Sequence, residues 1–319
     1  MIVSLILISA VPLSILTSLE LSITRNPGII QYRSHGWLRE CAKWDSIHQR
    51  FLVSTMFDAG IAAIDIGKVQ MEEKVMLRET DMAGNASLGI TIDEDRRQII
   101  VVFADVVGHK HSAVAAYDLD TWERNYITHL RGVEEGKEEE GVTMADDVAI
   151  DSNGNAYVTD TISNEIWKLD SKGNLLTKIR NQAFKQTNGL FSNLIGLNGI
   201  VYHPDGYLLV IHTIGGDLFK VDVTTEDVKV VEIIDGSSLK MGDGLVLLSP
   251  NQLVVVAATS VKLLESLDGW KTSKVTKIHR SGPMHRVATS GTVRDGKVYI
   301  SYIVGGGFPR THVITEAVF

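Results

Sequence analysis

Four residues with oxygen-bearing side chains each begin a short stretch rich in aliphatic and β-branched residues. They are Glu40, Asp146, Asn198 and Asp243. Carboxylates gathered in a narrow apolar space repel one another and lose hydration unless a cation neutralises them. An all-oxygen set suits a hard cation, and Ca²⁺ tolerates irregular cages that Mg²⁺ does not. Brought together, these residues would form a divalent-metal site, with Ca²⁺ favoured and Zn²⁺, Mn²⁺ or Mg²⁺ also open.

An internal repeat in the sequence could bring these four residues together. Residues 148–160 read VAIDSNGNAYVTD, two β-rich runs around a polar turn, and related segments begin near residues 42, 89, 199, 244 and 291. Such a pattern is typical of a β-hairpin. Superposing the turns gives steps of 45 to 58 residues between the aligned positions, which are Asp45, Asp93, Asp151, His203, Leu248 and Val293.

The repeat predicts an all-β fold, a six-bladed β-propeller with four-stranded antiparallel blades. Each hairpin continues into a second strand pair, as in residues 165–179, and four strands per unit of this length are typical of a propeller blade. We expect one propeller domain over residues 26–319, with residues 26–36 pairing with the last blade to close the ring. The charged residues 131–145 are expected to form a solvated loop, with a lid or a surface cation site as the alternative.

The repeat also places the four oxygen-bearing residues in one register. The positions five residues before each aligned turn are Glu40, Leu88, Asp146, Asn198, Asp243 and Ala288. Because the first strand of every blade lines the central channel, side chains at these positions should converge on one axis. Asp and Asn also favour strand starts as turn-capping residues, which is the structural alternative to a metal site.

The same residues carry a resemblance to the senescence marker protein/gluconolactonase/luciferin-regenerating enzyme family. The stretch RECAKWD keeps a Glu and a Trp that open blade 1 in that family, at Glu40 and Trp44. LNGIVYHPDG is similar to its Asn-Gly motif at Asn198, and GDGLVLLSP to its Asp-Gly motif at Asp243. ADDVAID places Asp146 where Asn is usual, while Asp147 matches the family Asp.

The resemblance implies a propeller with one divalent metal ion on its axis and a lactonase or esterase activity. Glu40, Asn198 and Asp243 would hold the metal, with Asp146 as a fourth ligand or a substrate-orienting group. Asp243 would also act as general base, and Asp147 would lie near the substrate. The Asp at position 146 adds a negative charge to the family pattern.

Four histidines are weaker candidates for substrate binding. His109 and His111 would face one side if they lie on a strand, and His212 occupies in blade 4 the place of Asp160 in blade 3. His285 precedes the last inner strand. Each of these histidines could equally be a polar loop residue.

Composition restricts the partners. The formal net charge of −8 gives no basic face, so nucleic acid is not expected as a partner. The one cysteine, Cys41, allows no intrachain disulfide and no cysteine-based zinc site. A small molecule is the expected partner.

The N-terminus predicts a signal peptide over residues 1–20. Residues 2–16 form an apolar run of signal-core length, although the first basic residue is Arg25. An uncleaved anchor or a buried strand are the alternatives. We therefore expect a location in the secretory pathway (extracellular, vacuolar or ER lumen), no stable membrane association after cleavage, and glycosylation at the Asn85 sequon. Without a signal the protein would be cytoplasmic.

Two other functions remain open at this point. One is a metal-independent enzyme of specialised metabolism similar to strictosidine synthase, although the disulfide of that relative is impossible here. The other is a binding propeller in which the cation is structural. Metal removal would abolish turnover only in the metal-dependent hydrolase.

Overall fold

Six radial β-sheets form the protein, so the predicted six-bladed propeller with four-stranded antiparallel blades is confirmed. The structure is a computed structural model that describes residues 18, 20, 28–68, 70–130, 133–134, 137–138, 142–185, 195–280 and 283–319. Short 3₁₀ helices at Thr80–Met82, Gln182–Phe184 and Met284–Arg286 lie in loops between blades. The predicted signal peptide, residues 1–20, lies outside the described residues except at positions 18 and 20.

Blades 1 to 3 follow one another along the chain, each from its inner to its outer strand. Blade 1 consists of β2 (Ala42–Asp45), β3 (Arg50–Ser54), β4 (Gly60–Asp65) and β6 (Lys74–Arg78). Blade 2 consists of β7 (Ala86–Asp93), β8 (Gln98–Ala104), β9 (Ser112–Asp118) and β10 (Arg124–His129). Blade 3 consists of β13 (Ala145–Ile150), β14 (Ala156–Asp160), β15 (Glu165–Leu169) and β16 (Leu175–Arg180).

Blades 4 to 6 repeat this order, with additions at two outer edges. Blade 4 consists of β17 (Leu197–His203), β18 (Tyr207–His212), β19 (Leu218–Asp222) and β20 (Val228–Val230). Blade 5 consists of β22 (Gly242–Ser249), β23 (Gln252–Ala257), β24 (Ser260–Glu265) and β25 (Thr272–His279), edged by β21 (Glu232–Ile233). Blade 6 consists of β26 (Ala288–Arg294), β27 (Lys297–Tyr302), β28 (Thr311–Ala317) and β1 (Ile29–Arg33), edged by β5 (Met71–Glu72).

Strand β1 closes the ring, as the sequence predicted. It pairs antiparallel with β28, from Ile29 opposite Thr315 to Arg33 opposite Thr311. A buried ion pair supports the junction with blade 1, because Arg39 Nε donates to Glu73 Oε2 at 2.9 Å and both side chains are almost fully buried. The first and last strands of the propeller therefore share one sheet.

The charged loop before blade 3 contains a small hairpin. Strands β11 (Val133–Glu134) and β12 (Lys137–Glu138) pair antiparallel, with Val133 opposite Glu138. The sequence predicted only a solvated loop here, and the pairing adds local order to it.

Aspartates at strand ends fix the turns that repeat along the chain. Asp151 Oδ1 accepts the backbone N–H groups of Asn153 and Asn155, and Asp170 Oδ1 accepts those of Lys172 and Asn174. Aspartate favours such turns because its short side chain bonds the backbone just ahead of it. The polar turns of the repeat are thus part of the scaffold.

The apolar core is divided among the interfaces between blades. In the described residues six clusters fill the six interfaces, each with side chains from two neighbouring blades. The innermost strands also contact one another in sequence around the axis. In the described part of the chain, no helix is both long and apolar enough to span a bilayer.

Candidate metal and catalytic site

A β-bulge marks the start of the inner strand in most blades. The pairing register shifts after Ala145 in blade 3, after Leu197 in blade 4 and after Gly242 in blade 5, so that Asp146, Asn198 and Asp243 fall within the bulges. A bulge bends the strand and redirects the side chain of the extra residue, and such irregularities are common beside functional sites. The sequence register therefore coincides with a repeated backbone feature.

Blade 6 departs from the sequence alignment by one residue. Its bulge lies between Ala288 and Ser290, which makes Thr289 the equivalent of Asp243. Thr289 Oγ1 donates a short hydrogen bond to the carbonyl oxygen of Glu40. This hydroxyl links the last blade to the start of the first.

Close approach between inner strands requires glycine next to the bulges. A Cβ at Gly199 would lie 2.1 Å from the backbone oxygen of Asp243, and one at Gly244 would lie 2.7 Å from that of Thr289. At Gly89 the nearest atoms belong to Asp146 and Asp147, at 2.5 Å. These glycines bring the axial side chains of neighbouring blades together.

Glu40, Asp146 and Asp243 share one electrostatic environment. Burial first, and then the negative charges of Asp146 and Asp243, raise the pKa of Glu40 well above its usual value. Burial and the charges of Asp147 and Asp160 raise the pKa of Asp146 to about 7. The pKa of Asp243 is also raised well above its usual value, by burial and then by Asp146 and Asp147. Asp146 is buried, whereas Glu40 and Asp243 keep partial access to solvent, which moderates their repulsion.

One carboxylate oxygen in this group has no partner. Glu40 Oε2 is inaccessible to solvent and accepts no hydrogen bond. A buried acceptor left unpaired costs free energy, more so when it carries charge. The atom is therefore suited to a ligand or a cation.

Lys43 supplies a positive charge that the sequence interpretation missed. Its Nζ donates to the carbonyl oxygen of Gly291 at 3.1 Å, and its charge lowers the pKa values of Glu40 and Asp147. Burial alone would lower the pKa of Lys43, but the nearby Cys41, Asp147 and Glu40 raise it. The signal was present in CAKWD, where a lysine lies between apolar residues of an inner strand.

Asp147 ties two blades together. Its Oδ1 accepts the N–H of Val148 at 2.9 Å, and its Oδ2 accepts the N–H of Ile200 at 3.3 Å. Asn198 lies on the same interface, where its backbone carbonyl oxygen accepts a hydrogen bond from the Thr159 hydroxyl at 2.7 Å. Asp147 thus orders the strands that carry Asp146 and Asn198.

The donor set fits a hard cation in its chemistry. It combines three mutually repelling carboxyl groups, an unpaired buried carboxylate oxygen and the Asn198 amide. Among the described residues, no three His, Cys, Asp or Glu side chains converge closely enough to hold an ion as they stand. Coordination would therefore require side-chain rotation at these positions.

His109 and His111 lie in a loop, which is the alternative that the sequence left open to a strand pair. They fall between β8 and β9, and His109 has a left-handed backbone with φ of 54°. The Asp105 carboxylate organises this loop by accepting the N–H of Gly108 at 2.7 Å. The alternation of a strand therefore does not align the two rings.

His212 lies at the end of a second strand, as predicted, whereas His285 lies in the 3₁₀ helix before the last inner strand. His212 pairs with Leu197 as Asp160 pairs with Ala145. It is fully buried, and its Nδ1 accepts the N–H of Gly215 at 3.0 Å, so the ring caps a loop. His285 precedes β26, and its Nε2 lies 2.6 Å from Glu20 Oε1.

Comparison with known proteins identifies the fold. No protein-family model matches the chain, and no curated protein sequence matches it significantly. The Malassezia sympodialis allergen Mala s 1 superposes with a TM-score of 0.73 at 15% identity, over 92% of this chain and 96% of that one. A gluconolactonase from Xanthomonas campestris gives 0.59 at 14% identity, over 90% and 89% of the two chains.

A luciferin-regenerating enzyme gives a TM-score of 0.58 at 11% identity, over 92% of this chain and 96% of that one. Structural superpositions at identities this low establish the fold alone, so the activity depends on the residues of the site. The chain has the six-bladed propeller fold that a gluconolactonase and a luciferin-regenerating enzyme also adopt, in agreement with the resemblance found in its sequence.

Proposed function

We propose that the protein is a metal-dependent hydrolase of a small-molecule lactone or ester. The observation that carries the proposal is the buried, unpaired Oε2 of Glu40 beside Asp146 and Asp243. Three acids in one enclosed place are costly unless a cation or shared protons offset their repulsion. The neighbouring structures include a gluconolactonase, which supports an enzyme of this fold.

Each axial residue has a separate role in the proposal. Glu40, Asn198 and Asp243 hold the cation, with Asp146 as a fourth ligand or as a group that orients the substrate. A bound divalent cation supplies Lewis-acid polarisation of the carbonyl group and charge balance for the acids. Ca²⁺ is favoured by the oxygen donors, and Zn²⁺, Mn²⁺ or Mg²⁺ are alternatives.

Asp243 acts as general base in this proposal. Its carboxylate accepts a proton from the attacking water as the carbon–oxygen bond forms at the substrate carbonyl. The negative charge that develops on the carbonyl oxygen needs a positive partner in a site with little water. The proton then passes to the leaving alcohol oxygen, which completes hydrolysis.

The test is metal analysis combined with a lactone and ester panel. We expect one divalent ion per chain in the wild-type protein. Asp243→Ala should lose the ion and lower kcat/KM by about 10²–10⁴-fold. The matched control is Asp295→Ala, since the Asp295 side chain is largely exposed in the turn between β26 and β27; it should keep both properties.

Two results would overturn the proposal. Turnover that survives complete chelation would indicate a metal-independent enzyme. Full metal content without turnover on any lactone or ester would indicate a binding propeller with a structural cation.

A further inference from the structure

The loops that lead into the axial positions of blades 3 to 6 carry residues without polar side chains at equivalent places. In blades 3 to 6 the backbone carbonyl two residues before the axial residue accepts a hydrogen bond. The donor is the backbone N–H of the residue that directly follows the second strand of the blade. The four pairs, each written with the donor first, are Thr161 to Met144, Thr213 to Gly196, Ala258 to Met241 and Ile303 to Val287. This repeated bond identifies Met144, Gly196, Met241 and Val287 as equivalent positions, all without polar side chains.

Blades 1 and 2 contribute a buried apolar cluster with partly exposed apolar neighbours. Met56 and Leu88 form one cluster with Ala86 and Ala104, against which Leu38, Val106, Met144 and Ile303 pack while partly exposed. These residues come from blades 6, 1, 2 and 3, and blades 6 and 3 lie on opposite sides of a six-bladed ring. The cluster therefore follows half of the channel mouth, unlike the six clusters that each fill one interface.

Exposure at the mouth is large for apolar side chains. Met241 is 50% exposed and Val287 is 36% exposed. On the same face, Trp37 and Phe308 meet edge to face with ring centroids 5.8 Å apart, and Phe308 is 91% exposed. Contiguous exposed apolar surface around a polar centre is typical of a ligand-binding site.

The backbone at the mouth is held in an unusual conformation. Met56, Met241 and Val287 all have left-handed backbones, with φ of 49°, 62° and 58°. This region is rare for residues other than glycine and is a true outlier for a β-branched residue such as Val287. Strained residues persist where the surrounding structure fixes them, and they concentrate at ligand sites.

We propose that the substrate carries an apolar body, aliphatic or aromatic, and that a polyhydroxylated sugar lactone is a poor substrate. This inference rests on the proposed hydrolase function. The reacting carbonyl would lie at Glu40, Asp146 and Asp243, and the remainder would contact the partly exposed Leu38, Met144 and Met241. A hydroxyl on every ring carbon would lose its hydrogen bonds to water against this layer, whereas unbranched methionine side chains adapt to varied apolar shapes.

Kinetics on a series of γ-lactones of increasing alkyl chain length test the inference, with glucono-δ-lactone as the hydroxylated comparison. We expect kcat/KM to rise by about threefold for each methylene that contacts the mouth. Met144→Gln and Met241→Gln should each lower kcat/KM for the long-chain lactone by about tenfold, a larger loss than for glucono-δ-lactone. Leu267→Gln is the control, since Leu267 is 89% exposed in the turn between β24 and β25, on the opposite face.

Binding provides a second measurement that needs no turnover. Calorimetry with an alkyl γ-lactam, which resists hydrolysis, should show tighter binding than a hydroxylated lactam, and Met144→Gln should remove the difference. Hydrolysis with preference for glucono-δ-lactone would overturn the apolar-substrate inference and leave the hydrolase function standing. If no lactone or ester is hydrolysed, the function fails, and the lactam comparison alone decides whether the mouth selects apolar ligands.

Discussion

Lys43 contributes a positive charge to the group of axial acids. The acids Glu40, Asp146, Asp147 and Asp243 influence one another, and the Lys43 ammonium partly offsets Glu40 and Asp147. A fixed positive charge stabilises the acids when no cation is bound, and it repels a cation that approaches. The protein thus carries its own partial substitute for a metal ion.

We expect Lys43→Met to strengthen divalent-cation binding by about tenfold, because removing the ammonium removes this repulsion. Calorimetric titration with Ca²⁺ measures the effect, and Lys43→Arg is the control that keeps the charge. Weaker binding in Lys43→Met would contradict the repulsion and indicate that Lys43 positions a ligand residue instead.

At the residue scale the sequence indicated which axial acids influence one another. Glu40, Asp146 and Asp243 could be found because their side-chain type and their distance from a repeated turn together identify an axial position. Thr289 could not, because the position of a bulge depends on pairing between strands. The loop position of His109 and His111 depends on the Asp105 cap, which strand alternation does not reveal.

At the scale of the strand, the bulges and the adjacent glycines set the geometry of the site. Gly199 allows β17 to approach β22 closely, since a Cβ there would lie 2.1 Å from a backbone oxygen. Backbone cannot move aside as a flexible side chain can. The distance between Asn198 and Asp243 is therefore fixed by a residue that does no chemistry.

Gly199→Ala should lower the free energy of unfolding by about 1–3 kcal/mol, the usual cost of overpacking a tight contact, and weaken cation binding. Urea denaturation measures the first effect and calorimetry the second. Gly206→Ala in the same blade is the comparison, since an added Cβ there meets nothing within 4 Å and only its φ of 87° opposes the change. If both variants bind Ca²⁺ as the wild type does, the close approach does not set the ligand geometry.

At the scale of the whole molecule, ring closure introduces a buried histidine. His312 lies opposite Tyr32 in the β1–β28 pair, and the two rings stack with centroids 5.8 Å apart. Burial, and then the nearby Arg39 charge, lower the pKa of His312 to about 4. The folded protein therefore holds this ring neutral at a pH where an unfolded chain would protonate it.

This arrangement predicts a loss of stability in acid. The unfolded chain takes up a proton near the usual histidine pKa of about 6.5, whereas the folded chain does so only near pH 4. Stability should fall as the pH drops through this window, by about 2–3 kcal/mol in total. Urea denaturation from pH 7 to pH 4 should show a shallower fall in His312→Leu, while the exposed control His35→Gln follows the wild type. Equal slopes in wild type and His312→Leu would contradict the assignment.

The fold as a whole was predictable because its signal is repeated. A single hairpin is compatible with many folds. Six similar turns at steps of 45 to 58 residues indicate a repeated four-stranded unit and therefore a propeller. The β11–β12 hairpin was missed because it occurs once, in a segment whose charge indicates only exposure. The apolar mouth was missed because its residues come from loops of four or more blades, and no single stretch of sequence shows them together.

The closing strand has a consequence for how the protein is made. Among the described strands β1 comes first in the chain, yet its antiparallel partner β28 comes last and is therefore synthesised long after it. Strand β1, which forms the outer part of blade 6, stays without its partner until β28 is made. The earlier blades exist as an open ring during that time. Once β28 is made, β1 and β28 meet in one sheet, so their pairing converts an open array of blades into a closed one whose inner surface carries the acids.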